Sequence, residues 1–345
     1  MTAALAAVRL AEVLHFGRRR NASDVHLRCG VPPLVRVDGL LEAMSAPPLT
    51  EDEIEAIALA VLPDRSELER CGDVTVLYEA PQIGRVRVHG YETELGIAFA
   101  MRLLASQTPA LESLGLPPAV SSLCALSKGL VLIAGPTGSG KSTLLASMID
   151  AVNRRYAKHI VTIEDPVEYR HHPVKSLVNQ RSIGSDVATF SSAVLGALRS
   201  DPDVILIGEL RDAATMHAAL TAAETGHLVL STLHTGDAAQ TIDRVVGAFG
   251  GDVQDQIRIQ LAQTLAGVVS TRLLPRAEGT GRVCAVEVLL VNDAVRHIIR
   301  DGKTHQIGNV ISTGRQFGMQ TLESHVSELV ARGDVAPEAL RAVPA

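Results

Sequence analysis

The sequence predicts an α/β protein whose larger part is a mainly parallel sheet covered on both faces by helices. From about residue 120 onward, short apolar runs alternate with helix-like stretches, and a glycine-rich loop joins the first such run to a helix. This alternation favours parallel strands, because a crossover helix has to return the chain to the same edge of the sheet. Shorter mixed elements before residue 105 predict a smaller α+β domain.

The composition is that of a soluble protein with a sizeable core. The chain has 345 residues, 46% of them hydrophobic, and a formal net charge of −6, which offers no general attraction to nucleic acid. No apolar run approaches the ~20 residues that cross a bilayer. The four cysteines stand far apart without a CxxC pair, which predicts reduced thiols and no structural zinc site. We therefore expect a cytoplasmic protein without direct membrane insertion.

The first domain is expected over residues 1–105. An amphipathic helix that contains Arg9 and Glu12 is followed by alternating strand and helix patterns. Strands are predicted at 25–27, 34–37, 74–78, 85–89 and 97–104, and a helix at 51–62. Prolines 109, 117 and 118 indicate a linker over 106–118.

The second domain is expected over residues 119–345. Its four apolar strands are predicted at 130–134, 159–163, 204–207 and 228–232. Helical spacing over 190–198 supports helices between the strands, and the last hundred residues are expected to be mostly helical, ending with a helix at 321–331.

A complete phosphate-binding loop lies between the first of these strands and the following helix. Glycines let the backbone fold around a phosphate, and the new helix directs its free N–H groups at the anion. Lys141 is expected to reach the β- and γ-phosphates of ATP, and the hydroxyl of Ser142 to bind Mg²⁺. The predicted nucleotide-binding residues are Gly135, Pro136, Thr137, Gly138, Ser139, Gly140, Lys141, Ser142 and Thr143.

Two acidic positions follow predicted strands. Glu164 comes directly after the strand at 159–163, and Glu209 follows Gly208, which takes the place where phosphate-loop enzymes usually carry an aspartate. Ligands of parallel sheets bind at the carboxyl ends of the strands, so one glutamate is expected to polarise the attacking water and the other to hold Mg²⁺ through water. The alternative is that each is an ordinary solvated turn residue.

Histidines and arginines supply further candidates. His227 and His234 stand at the two ends of one strand, and His234, at the carboxyl end, is the better candidate for sensing the γ-phosphate. Arg85, Arg87 and Arg102 lie on predicted strands of the first domain. On composition alone a solvated strand face is the favoured explanation of these arginines, yet a guanidinium from outside the phosphate-loop domain can stabilise phosphoryl-transfer charge.

Four segments together resemble the secretion-superfamily ATPases of type IV pili, and within them the pilus retraction ATPases. They are GPTGSGKST at 135–143, TIEDPVEY at 162–169, RSDPDVILIGELRD at 199–212 and TAAETGHLVLSTLHT at 221–235. The likeness extends from residues 22–27 to 318–322. It implies a RecA-like phosphate-loop NTPase domain after an N-terminal PAS-like domain.

The resemblance also implies roles for individual residues. Glu164 is the expected general base and Glu209 the acid on the Mg²⁺ side. His234 is expected to contact the γ-phosphate, with His227 supporting it. Family members form hexameric rings in which ATP lies between one subunit's two domains. Their N-terminal domain sends arginines to the nucleotide, and the matching positions here are Arg87 and Arg102.

Residues 294–301 resemble a C-terminal helix of the retraction family, AIRNLIRE, which is needed for retraction. The departures are Val295, His297, Ile298 and Asp301, and both arginines are kept. His297 is the least conservative of these changes and puts partner contacts through this helix in question. A plain packing helix is the alternative interpretation.

The leading hypothesis is a homo-hexameric ATP hydrolase that uses ATP and Mg²⁺ to drive type IV pilus retraction and twitching motility. The resemblance implies a place at the cytoplasmic face of the inner membrane, with the pilus platform protein as partner. An ATPase of pilus assembly, type II or type IV secretion, or DNA uptake is the alternative. The acidic charge and the absence of tryptophan disfavour a nucleic-acid motor, and the catalytic acids disfavour an inactive scaffold.

Overall fold

The computed structural model describes residues 3–62, 64–104, 107–279 and 281–342. The chain divides into two compact units, Met1–Gln107 and Thr108–Ala345. The structure differs from the predicted linker at 106–118, because Leu111 is buried in the core of the second unit. Residues 108–118 therefore belong to that unit, while residues 105 and 106 lie outside the described part of the chain.

The first unit contains an antiparallel sheet that has six strands within the described residues 3–62 and 64–104, in the order β3-β2-β1-β6-β5-β4. The strands are β1 (Asp24–Leu27), β2 (Leu34–Val37), β3 (Leu40–Ala43), β4 (Asp73–Ala80), β5 (Gly84–Thr93) and β6 (Gly96–Leu103). The helices are α1 (Ala3–Arg19), α2 (Glu51–Val61) and α3 (Ser66–Cys71).

Local sequence signals account for these elements. Thr50 caps α2: its hydroxyl accepts the N–H of Glu53, and the Glu53 carboxylate accepts the N–H of Thr50 at 2.8 Å. In β1 the alternate residues Val25 and Leu27 are buried, and they pack with apolar residues of α1, α2 and β6 into one core. The PAS-like character expected for this unit stays a prediction.

The second unit is built on a larger sheet, with seven strands among the described residues, in the order β13-β12-β7-β11-β10-β8-β9. The strands are β7 (Gly129–Ala134), β8 (His159–Glu164), β9 (Leu177–Ser182), β10 (Val204–Ile207), β11 (Leu228–Leu233), β12 (Leu265–Pro275) and β13 (Arg282–Leu290). The helices are α4 (Pro118–Leu123), α5 (Lys141–Arg155), α6 (Phe190–Ala197), α7 (Ala213–Glu224), α8 (Ala238–Gly247), α9 (Gln254–Thr264), α10 (Asp293–Arg300), α11 (Ile307–Thr313) and α12 (Leu322–Ala331).

Helices cover both faces of this sheet. Successive side chains of a strand point to opposite faces, so Leu130 and Leu132 join one core with α6, α7 and α9, while Val131 and Ile133 join a second core with α5. Strands buried on both faces read as continuous apolar runs, as β7 and β10 do. The predicted α/β class with a mainly parallel sheet is confirmed.

Three strands of the second unit were not predicted. The sequence indicated a mostly helical last hundred residues, yet β12 pairs in parallel with β7, and β13 pairs antiparallel with β12. β12 contains Gly267, Ser270 and Thr271, which interrupt its apolar pattern, and its register shifts between Leu265 and Gly267. β9 carries polar residues because it lies at the edge of the sheet.

Two further features bear on composition. Of the helices in the described ranges, none is long and apolar enough to cross a membrane. All four cysteines are unpaired thiols.

Candidate active site

The phosphate loop connects β7 to α5 through residues in unusual backbone conformations. Gly135, Gly138 and Gly140 have φ angles of 144°, 76° and 95°, which side-chain-bearing residues rarely adopt. A Cβ atom at Gly135 would overlap Ser139 Oγ and would lie 2.7 Å from the carbonyl oxygen of Thr271. The loop therefore needs glycine at its first position for space as well as for conformation.

Lys141 is folded back over this loop. Its Nζ donates hydrogen bonds to the carbonyl oxygens of Gly135, at 2.8 Å, and Pro136, at 2.9 Å, and the residue is only 8% exposed. Burial lowers the pKa of the amine. Within the described ranges this ammonium pairs with no carboxylate, so a phosphate chain can supply its counter-charge. The buried ammonium of Lys141 fits the phosphates of a nucleotide.

The next two hydroxyls lie in the first turn of α5. Ser142 is exposed, whereas the Thr143 hydroxyl lies 2.9 Å from the Tyr169 hydroxyl. No group of three or more metal-ligating side chains is found among the residues that the structure describes. Mg²⁺ usually binds through one or two protein oxygens together with substrate phosphates and water. Ser142 and Glu209 stay the predicted magnesium ligands.

Glu164 is the last residue of β8, which pairs with β10 and β9. Its Oε1 accepts hydrogen bonds from the Thr162 hydroxyl at 2.6 Å and from Gln180 Nε2 at 3.2 Å. Burial, and secondarily the charge of Glu168, raises the pKa of this carboxyl group, while the hydrogen bonds oppose the rise. A buried carboxylate with increased proton affinity is suited to accept a proton from water.

Glu209 and His234 meet at the ends of β10 and β11. The Glu209 carboxylate is paired with the Arg211 guanidinium, and its Oε2 lies 3.3 Å from His234 Nε2. His234 Nδ1 in turn lies 3.5 Å from Lys141 Nζ. Burial and the charges of Lys141 and Arg211 lower the pKa of His234. A neutral imidazole with its proton on Nε2 satisfies both contacts, so the network connects the loop lysine to the second acid.

The acid that follows β10 lies at position 209, one residue after the usual aspartate position, and the surroundings of Gly208 account for this. Its N–H donates to the carbonyl oxygen of Ile163 at 2.7 Å. A Cβ atom there would lie 3.3 Å from that oxygen and 3.4 Å from the Cα of Glu164. An aspartate at position 208 would crowd the backbone of Glu164, so the carboxylate comes from Glu209.

His227 does not reach this site within the chain. It precedes β11, and its carbonyl oxygen accepts the N–H of Gly129 at the start of β7. Its Nδ1 lies 2.9 Å from the carbonyl oxygen of Ala222 and 3.2 Å from the Thr225 hydroxyl. The seven residue steps from His227 to His234 along the strand correspond to about 23 Å. In the described chain the contacts of His227 are local, and its expected support of His234 stays a prediction.

The two expected arginines are neighbours in the first unit. Arg87 on β5 and Arg102 on β6 are register partners, so their side chains share one face of the sheet. Arg102 Nε pairs with Asp24 Oδ1 at 3.0 Å. Their contact with a nucleotide stays a prediction.

Several residues of the site escaped the sequence analysis. Tyr169 and Gln180 are uncharged and come from a loop and an edge strand, so nothing in their own spacing pointed to the loop. Thr271 Oγ1 contacts Ser139 Oγ at 2.8 Å from a strand that was not predicted. Arg211 offered a signal, because it stands two residues after Glu209 and also lies 3.2 Å from Asp165.

A phosphate loop with a buried lysine and acids at the ends of two neighbouring parallel strands defines the class of phosphate-loop nucleotide hydrolases. A profile of the family described as "Type II/IV secretion system protein" matches residues 19–341, and the chain belongs to this family. It is an ATP hydrolase of the secretion-ATPase kind. The family resemblance inferred from the sequence is confirmed.

Individual relatives place it more closely. The chain is 42% identical over 334 residues to the type IV pilus retraction ATPase PilT of Pseudomonas aeruginosa, covering 96% of this chain and 97% of the relative. A twitching motility protein of Neisseria gonorrhoeae is 42% identical over 311 residues, covering 90% and 83%. A crystal structure of the pilus retraction motor PilT with bound ADP is 42% identical and superposes with a TM-score of 0.87 over 97% of both chains.

The segment at 294–301 forms most of α10. Asn292 caps this helix by accepting the N–H of Val295 at 3.0 Å, and Val295, Ile298 and Ile299 are buried. Arg296 and His297 lie toward solvent and pair with acids of the same helix turn, Asp293 and Asp301. The substitutions relative to the family motif therefore preserve one buried apolar face and one charged face.

Proposed function

We propose that this protein is a motor ATPase that retracts a type IV pilus and so drives twitching motility. The observation that carries the proposal is the 42% identity over 96% of the chain to a relative named as a retraction ATPase. The TM-score of 0.87 to a retraction motor with bound ADP supports it, because almost the whole of both chains takes part in the match.

In the proposed reaction, Lys141 and the N–H groups at the start of α5 neutralise the phosphates of ATP. Glu164 accepts the proton of the water that attacks the γ-phosphate. Ser142 and Glu209 would hold Mg²⁺, and the ion would supply positive charge to the phosphate oxygens. In the structure the Glu209 carboxylate is paired with Arg211.

The remaining candidates are His234, which connects functional groups of the site, and Arg87 and Arg102, which supply positive charge. His234 contacts both Lys141 and Glu209. When His234 binds a γ-phosphate, its contacts with both residues change. Arg87 and Arg102 supply positive charge to the transferring phosphoryl group.

The protein is proposed to act as a homo-hexamer at the cytoplasmic face of the inner membrane. The platform protein of the pilus is the proposed partner, contacted through the charged face of α10. Arg296 and Arg300, kept from the family motif, are the residues of that face most suited to the contact. Nucleic acid is not a proposed partner, in accordance with the net charge of −6.

Deletion of the gene in its host tests the direction of the motor. Electron microscopy counts the surface pili, and spreading on a surface measures motility. Many pili with lost spreading are expected for a retraction motor. Bald cells would instead assign pilus assembly, and unchanged pili would favour a secretion ATPase, which the description of the family also covers.

A further inference from the structure

The edge strand β9 brings a carboxamide to the proposed catalytic base. Gln180 is the register partner of Thr162 on β8, and Glu164 lies two residues further along β8, on the same face. Gln180 Nε2 consequently comes within 3.2 Å of Glu164 Oε1. The pairing of β8 with β9, and not the local sequence, sets this contact.

The same carboxamide is fixed at two other points. Nε2 also donates to the carbonyl oxygen of Tyr169 at 2.8 Å, and Oε1 accepts the N–H of His171 at 2.8 Å. Both N–H groups and the oxygen of Gln180 are therefore engaged, which leaves the side chain in one orientation. Because the Gln180 amide is fixed in this way, its hydrogen bond can fix the orientation of the Glu164 carboxylate.

The segment that anchors Gln180 also contacts the phosphate loop. The Tyr169 hydroxyl lies 2.9 Å from the Thr143 hydroxyl in the first turn of α5. Thr143 directly follows Ser142, the proposed magnesium ligand. A continuous series of hydrogen bonds thus runs from the loop through Tyr169 and Gln180 to Glu164.

Glu164 needs such support because its carboxyl group has several rotatable bonds. The Thr162 hydroxyl, at 2.6 Å, and Gln180 bond to the same oxygen, Oε1, so together they define the plane and direction of the carboxylate. A catalytic base works only when its free lone pair faces the water, and a displacement of about 1 Å can reduce the rate by about a hundredfold.

We propose that Gln180 is a positioning residue that holds Glu164 in the orientation for accepting the proton of the attacking water and ties this orientation to the phosphate loop. The inference rests on the proposed role of Glu164 as the base. Gln180 itself touches neither the nucleotide nor the water.

The test compares Gln180→Glu and Gln180→Met in the full-length protein. The first keeps the acceptor for the His171 N–H but places a carboxylate against Glu164; the second keeps the length and removes all polar contacts. Steady-state ATP hydrolysis gives kcat and KM, and a fluorescent ADP analogue reports nucleotide binding. In both variants we expect kcat to fall at least about tenfold, with KM and analogue affinity within about twofold of wild type.

Asn179→Asp provides the matched control. It is the same amide-to-carboxylate change on the neighbouring residue of β9, whose side chain points to the other face and lies 2.9 Å from His159 Nε2. Its kcat is expected within about twofold of wild type. Melting temperatures are recorded for all variants, and if Gln180→Glu does not fold, Gln180→Met carries the test.

Three results would overturn the inference. One is a kcat within about twofold of wild type in the Gln180 variants, and another is a loss of kcat matched by equal loss of nucleotide binding. The third comes from Glu164→Gln, measured in parallel: if it retains turnover, the base assignment is wrong as well. If Glu164→Gln is inactive and the Gln180 variants are not, the positioning inference alone fails.

Discussion

The larger sheet has a carboxyl edge, where its parallel strands end, and an amino edge, where they begin. The two carry similar residues in different surroundings. At the carboxyl edge, His234 contacts Lys141 of α5 and Glu209, which lies two residues after β10. At the amino edge, His227 contacts Ala222 and Thr225, which are its own near neighbours in sequence. His227, just before β11, thus makes local hydrogen bonds in a turn. His234, just after β11, connects groups from distant parts of the sequence.

The lysines repeat the contrast. Lys141 is buried and held by backbone carbonyl groups, whereas Lys128, just before β7, is exposed. Residue type alone therefore does not identify a functional group in this sheet. Distant partners and burial at the carboxyl edge do, because neighbouring parallel strands deliver polar groups from separate parts of the sequence to one place.

The largest effect that separates the two edges is expected from the lysines. Lys141→Ala removes the ammonium that neutralises the phosphates, and we expect ATP turnover below about a hundredth of wild type. Lys128→Ala, the same change at the amino edge of β7, should leave turnover within about twofold. Steady-state hydrolysis measures both, and circular dichroism with size-exclusion chromatography checks fold and assembly. Substantial turnover in Lys141→Ala would remove the basis of the proposed mechanism.

The histidines give a smaller and more specific contrast. His234→Ala breaks the link between Lys141 and Glu209, and kcat should fall about tenfold or more. His227→Ala should leave kcat nearly unchanged while lowering the free energy of unfolding by about 1 kcal/mol, because it loses local hydrogen bonds. Urea titration and turnover are measured on both variants. A large loss of kcat in His227→Ala alone would restore a functional role to the amino edge.

A third histidine, His171, is expected to affect how the stability of the protein depends on pH. His171 lies in the segment between β8 and β9, and burial lowers its pKa to about 4, with its Nδ1 buried and without a hydrogen-bond partner among the described residues. The unfolded chain binds a proton near pH 6.5 and the folded chain does not, so this residue makes stability fall as pH drops from about 6.5 toward 4. We expect the stability loss between pH 7 and pH 5 to be about 2 kcal/mol smaller in His171→Leu.

Urea titrations of wild type and His171→Leu at the two pH values measure this difference, and turnover at pH 7 should be largely retained. An unchanged pH dependence of stability would mean that His171 takes up its proton over the same pH range in the folded and unfolded protein. Such a result would also show that the surroundings of His171 are more polar than its contacts indicate.

The fold was predictable where burial is symmetrical. β7, β8, β10 and β11 are buried on both faces over most of their length and carry mostly apolar residues, so each reads as a strand without knowledge of its neighbours. β12 was missed because its polar residues, such as Ser270 and Thr271, meet partners that only the folded sheet provides. β9 was missed because an edge strand does not need an apolar pattern.

The same difference governs the candidate site. The positions of Glu164, Glu209 and His234 were predictable because each lies at the end of an apolar run or within two residues of it, and the ends of neighbouring parallel strands meet. Tyr169 and Gln180 were not, because their contacts depend on which strand pairs with β8 and in which register. His227 and His234 were expected at the two ends of one strand, and a motif that spans a whole strand has its two ends at opposite edges of the sheet.

The pairing of β12 with β7 affects how the protein is made. β7 is complete at residue 134, but its neighbour on one side begins only at residue 265. While the ribosome synthesises the intervening residues, the apolar strand has an open edge that can pair with other chains. Thr271, which bonds to the carbonyl oxygen of Ala134 and to Ser139, also emerges late. The nucleotide-binding loop is therefore among the first segments of the second unit to be synthesised and among the last to obtain its full set of contacts.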